Sequence, residues 1–223
     1  MTVQNDRYRR ISLLPLATVA IFGTLQVSAQ PADLDPESGA RLPYVTRADL
    51  GEEGKRLADI FAPEGNAGDR ISGPLAFAAY NIPVANALLD LHDGAVGGGI
   101  LDDDIRELAI LVASRETNYT LEWNAHLGFA QNVGVDPVTI EVVLNDLPLD
   151  GLSQADATVI RFGREMLRDK RMQSSTFAKA VELFTERGAM DLVAVMSTYA
   201  VSGFFAIAVD EHPPGEMPLK PLE

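Results

Sequence analysis

The sequence predicts an all-α protein. Three observations carry this: apolar residues recur at helical spacing, no alternating apolar–polar run of useful length occurs, and helix start and stop residues punctuate the chain at regular intervals. No repeat of fixed period is visible, and nothing suggests a second domain.

The elements follow in order. Residues 1–29 read as an export signal: Arg7, Arg9 and Arg10 make a basic start, "ISLLPLATVAIFGTLQ" is the apolar stretch, and Val27-Ser28-Ala29 offers small residues for cleavage. An uncleaved anchor is the alternative for the same stretch, weakened by Pro15, Gly23 and Gln26. Residues 30–45, rich in proline and small polar residues, are expected to be a flexible lead-in. The folded domain is placed at 46–214, and 215–223 is a proline-rich tail.

Thr46 to Asp49 forms a capping-box pattern that starts a helix reaching about Phe61. "APEGNAGDRISG" is loop. Pro74 opens an apolar segment through Tyr80, and Pro83 opens another through His92. The glycine-rich "DGAVGGG" is expected to break the chain. Asp102, Asp103 and Asp104 suit the positive end of the helix "DDDIRELAILVASR", which is apolar nearly all round and therefore buried. Thr120 to Asn132 is the next helix, with Gly134 as its stop. Asp136-Pro137 starts a short helix, and Ser153 caps one reaching Arg168. A helix over about 175–187 is expected to end at Gly188. Residues 189–209 are apolar enough to suggest a membrane span, but Asp191, Ser197, Thr198, Tyr199 and Ser202 favour a core or subunit-contact helix.

The stretch "RETNYTLEWNAHLGF" holds the candidate chemistry. On a helix, Tyr119, Glu122, His126 and Phe129 share one stripe. The preceding helix contributes Glu107 from apolar surroundings, and helices joined by a short link pack antiparallel, which brings Glu107 toward His126. An imidazole held by a carboxylate is a general acid or base near neutral pH; the same pair can also serve only to hold helices in register. Trp123 lies about 100° round the helix from Glu122 and fits the core or a substrate platform. Arg115, near the helix link, is a candidate for attracting a substrate carboxylate or a plain helix-end charge. His92 and His212 read as surface residues. Glu122 and His126, four apart, could be two metal ligands with Glu107 a third; di-metal bundles use a Glu-x-x-His spacing twice with two more glutamates, and only one set of different spacing occurs here, so no metal is expected. No phosphate loop, Gly-x-Ser-x-Gly turn or His-Glu-x-x-His motif occurs.

Composition removes whole classes of function. The chain has 223 residues, 18 basic and 32 acidic; without the signal, 15 basic and 31 acidic remain, a net charge of −16. Such a protein repels nucleic acid and anionic lipid, so neither is an expected partner beyond the signal segment. There is no cysteine, which excludes disulfides and every thiol chemistry.

"IRELAILVASRETNYTLEWNAHLGFAQNVGV" resembles the core of the carboxymuconolactone decarboxylase-like family, related to alkylhydroperoxidase D, with likeness extending from Gly73-Pro74 to about Pro214. The resemblance implies a single-domain helical bundle of the alkylhydroperoxidase D-like type, assembling as trimers or hexamers. It implies that His126 and Glu107 occupy the family's histidine and glutamate places. The peroxidase branch's two cysteine places hold Tyr119 and Glu122, so thiol peroxidase activity does not carry over. The decarboxylase branch acts on a lactone carboxylate without metal or organic cofactor. The expectation is therefore a cofactor-independent lyase acting on a small unsaturated or lactone carboxylic acid. His126 would deliver the proton, Glu122 and Glu107 would set its protonation, and Arg115, Tyr119 and Trp123 would contact substrate. An exported, periplasmic or secreted, small-molecule binding protein of the same fold without catalysis is the alternative.

Overall fold

A computed structural model of the chain describes residues 33–62, 69–211 and 219–222. The expected signal, His212 and part of the expected tail lie outside the described residues. The described residues belong to one unit, Ala32–Glu223. They contain eight α-helices and no strand; the one bridge pairs Thr46 with Arg70.

The described part of the expected flexible lead-in is packed. Asp35 accepts the backbone N–H groups of Glu37 and Ser38 at 3.0 and 2.9 Å, and Ser38 and Ala40 are fully buried. A polar composition was compatible with this because a local Asx turn satisfies the backbone without a regular element. The capping box at Thr46 forms: its N–H and its hydroxyl both donate to Asp49, at 2.9 and 2.6 Å. The helix that follows is not continuous. Gly51, at φ +56°, ends α1 (Arg47–Leu50), and α2 (Lys55–Phe61) restarts after a turn.

A 3₁₀ turn over Ala78–Tyr80 leads into α3 (Ile82–His92), where the side chain of Asn81 accepts the Val84 N–H at 3.4 Å. The glycine run does not break α3 where expected. The chain winds on as a π turn over Asp93–Gly97 and departs only at Gly98. Next come α4 (Asp103–Glu116), α5 (Thr120–Val133), α6 (Pro137–Leu144) and α7 (Gln154–Gly163), close to their expected bounds. A second π turn carries α7 on to Arg168.

The expected stop at Gly188 is absent. One long element, α8 (Ser174–Val209), passes through it, and its discontinuity lies at Thr185, at φ +69° and ψ 171°. The Thr185 hydroxyl accepts the Gly188 N–H at 3.4 Å, so a cap starts the second arm three residues before the glycine. Buried Glu165 opens α8 from outside it, accepting from the Gln173 N–H and the Thr176 hydroxyl at 2.8 and 2.7 Å. By length and hydropathy α8 could cross a membrane, but 56% of its most apolar window is buried against other helices. Leu192, Val195 and Met196 are in the core, whereas Met190, Phe204 and Ile207 are exposed.

α4 is the hub. It packs on α5, α6, α7 and α8, and every residue from Glu107 to Arg115 is buried. Gly163 permits the close approach of α7: a Cβ there would collide with the Val112 side chain and sit 3.4 Å from the Met196 sulfur. Valine is stiff in a helix and cannot easily give way. Gly163→Val is therefore expected to destabilise the fold by about 1–3 kcal/mol, read as a lower thermal midpoint of several degrees. An unchanged midpoint would contradict this packing.

Candidate active site

The link between α4 and α5 is only three residues long. The Thr117 hydroxyl donates to Ala113 O at 2.8 Å, and the Tyr119 N–H donates to Ser114 O at 2.7 Å. This tight reversal runs α5 back along α4 and sets Glu107 opposite His126, as the sequence led one to expect.

His126 sits between two carboxylates. Its Nδ1 is 2.8 Å from Glu107 Oε2 and its Nε2 is 3.3 Å from Glu122 Oε2. Both glutamates are buried, and the imidazole side chain is 17% exposed. Burial by itself depresses the imidazole; the hydrogen bonds and charges of Glu107 and Glu122 outweigh it, and His126 is pushed up to about 9. The ring is thus an imidazolium at neutral pH, with both nitrogens donating.

The sign of the resulting pH dependence is fixed. A raised histidine stabilises the fold fully below its free value of about 6.5. That stabilisation is lost as pH rises through about 9. The shift corresponds to on the order of 3 kcal/mol. Denaturant unfolding of the parent and His126→Gln at pH 6 and pH 9.5 should show the parent's stability relative to the variant falling by that order. A difference independent of pH would contradict the assignment.

A cavity of about 240 Å³ opens beside His126. Glu122 and His126 line it but Glu107 does not, so Glu107 grips the imidazole from behind while the Nε2 side, with Glu122, meets the cavity. Leu75, Leu88, Leu89 and Phe61 supply apolar wall, and Thr198, Tyr199 and Ser202 reach it from α8. The Thr198 and Ser202 hydroxyls donate to backbone carbonyls four residues back, at 2.8 and 3.3 Å, leaving acceptor lone pairs. The Tyr199 ring meets the His126 ring edge-on at 5.0 Å. Its phenol is pushed up, first by burial and then by Glu122 and Glu107, so it remains a neutral donor.

The expected substrate contacts lie elsewhere. Arg115 is buried, with Nε donating to Leu144 O at 2.8 Å; it ties the end of α4 to α6 and does not line this cavity. Trp123 belongs to the core with Leu108, Ile110 and Leu111. Tyr119 faces a different hollow, shared with Ala206, Glu211 and Leu219. Phe129 is close to the His126 ring, at 5.7 Å, but is mostly exposed. Conversely, sequence reasoning missed His92, Asp93 and Tyr199, which do line the cavity. The polar residues interrupting the apolar α8 were the available trace of Tyr199.

The fold and the buried Glu–His–Glu arrangement define an all-α protein with acid–base groups at a small apolar hollow. No protein-family model and no curated protein matches the sequence. Solved structures do. The debrominase Bmp8 in complex with 2,3,4-tribromopyrrole is 11% identical, over 77% of this chain and 90% of that one, at a TM-score of 0.59. Its apo form gives 13% identity, 77% and 91% coverage, and 0.58. An uncharacterized peroxidase-related protein from Silicibacter sp. TM1040 gives 15% identity, 85% and 96% coverage, and 0.58. The shared property is the fold, an all-α helical bundle.

Proposed function

We propose that this chain is a cofactor-independent acid–base enzyme, a lyase or isomerase, acting on a small unsaturated carbonyl compound or lactone. The observation that carries the reading is His126 shared between two buried carboxylates at the wall of an apolar cavity. In such a site the imidazolium can hand a proton from Nε2 to a dienolate. The new C–H bond takes the electron pair, the carbonyl reforms, and the ring is left neutral. Glu107 keeps the ring oriented, and Glu122 offsets the charge that is lost and regained.

The cavity wall narrows the expected substrate. Among the described residues its lining includes Glu122 and Asp93 but no lysine or arginine, so a carboxylate would find no cation among them other than a protonated histidine. This favours an uncharged carbonyl or lactone over the carboxylic acid expected from the sequence, and isomerisation over decarboxylation. The complex of the debrominase neighbour with a compact brominated ring supports a small planar occupant. Export to the periplasm belongs to the same proposal and rests on the sequence of residues 1–29.

The test is proton NMR of small unsaturated lactones in D₂O with the purified protein. Enzyme-dependent isomerisation or deuterium incorporation is expected. Binding of the lactones without either would instead favour a binding protein of the same fold.

A further inference from the structure

The cavity holds a second imidazole. His92 ends α3, and only because the chain winds on through the π turn does Asp93 follow it on the same wall. His92 Nδ1 lies 3.3 Å from Asp93 Oδ1, and the other oxygen of Asp93 accepts from Arg56 Nη2 of α2 at 2.8 Å. Arg56 also binds Asp90. The carboxylate is thereby fixed from the side away from the ring, and the ring is oriented by the carboxylate. Nδ1 is engaged and, among the described residues, Nε2 of His92 has no partner. The tautomer this selects carries its hydrogen on Nδ1 and a lone pair on Nε2.

The two imidazoles flank one phenol ring. His92 is 6.2 Å from the Tyr199 ring and His126 is 5.0 Å from it, so their separation cannot exceed the sum of those distances. They differ in every other respect. His126 is enclosed and gripped by two carboxylates, whereas the His92 side chain is 44% exposed at the rim and gripped by one.

We infer that His92 is a second catalytic residue of this cavity: the general base for an uncharged, β,γ-unsaturated carbonyl or lactone substrate, with His126 as the matching acid. The inference rests on the acid–base reading above. His92 Nε2 removes a proton from the carbon between the carbonyl and the double bond. The C–H pair enters the conjugated system and the carbonyl oxygen takes up negative charge beside the Tyr199 phenol. The far carbon of the dienolate then takes the proton from His126 Nε2, and the carbonyl reforms. The substrate loses one proton and gains one, so its double bond moves and no oxidant or reductant is needed. His92 is left protonated and releases its proton to solvent at the rim; His126 regains one from water after product leaves. A single buried imidazolium can donate but has no lone pair with which to start this sequence, which is the chemical reason for a second group.

The test uses the full chain and α-angelica lactone, a small β,γ-unsaturated lactone, with conversion to its conjugated isomer followed by NMR. His92→Gln is expected to lower kcat by about 100-fold with KM changed by less than about threefold, and added imidazole should restore part of the rate. Asp93→Asn should cost less and move the acidic limb of the pH profile, where the base loses its lone pair, as expected of a positioning residue. A parent that isomerises the lactone while His92→Gln stays within about twofold of it overturns the role of His92 and leaves that of His126 standing. A parent that does not isomerise the lactone at all overturns both.

Discussion

Replacing His126 with glutamine should abolish most turnover: kcat is expected to fall by about 10²–10⁴-fold, the range for loss of a general acid. The same change should destabilise the fold. Without the imidazolium, Glu107 and Glu122 are two buried carboxylates with their shared cation removed. Breaking a buried pair in this way costs about 3–5 kcal/mol. Parallel kinetic and denaturant measurements of the parent and the variant at pH 8 check both effects. A variant as stable as the parent at pH 8 would mean that the carboxylates do not depend on the ring.

Glu107→Gln is the second large effect, and its signature is different. Glu107 does not line the cavity, so substrate affinity should change little. An amide at this place still offers an oxygen to Nδ1, but it has lost the charge that helps keep the ring protonated. The expected result is a fall of about 100-fold in kcat, little change in KM, and a basic limb of the pH profile displaced downward. A rise in KM with kcat unchanged would show Glu107 to be a binding group instead.

Much of this site is legible in the sequence, for local reasons. Glu107, Glu122 and His126 sit on two consecutive helices joined by three residues, so helical spacing and a short link suffice to bring them together. The opposite wall is illegible for the converse reason. His92 and Tyr199 lie 107 positions apart on α3 and α8, and no spacing rule spans that distance. Tyr119 was projected onto the α5 stripe, but it precedes the helix at φ −91° and ψ 93°, where the helical wheel no longer applies. Arg115 looked like a free helix-end charge because nothing local reveals that the Leu144 carbonyl would claim it. At fold level, glycines were over-read as breaks. The π turn at Asp93–Gly97 and the passage of α8 through Gly188 show packing overriding a weak local preference.

His126, gripped at both nitrogens, stands at the cavity wall as a protonated imidazole at neutral pH. Long-range ¹H–¹⁵N NMR of the histidine rings, titrated from pH 5 to pH 10, measures this directly. Both His126 nitrogens are expected to carry protons at pH 7.5, and the ring to titrate near 9. A His126 ring that is already neutral at pH 7.5, with one bare nitrogen, would contradict this.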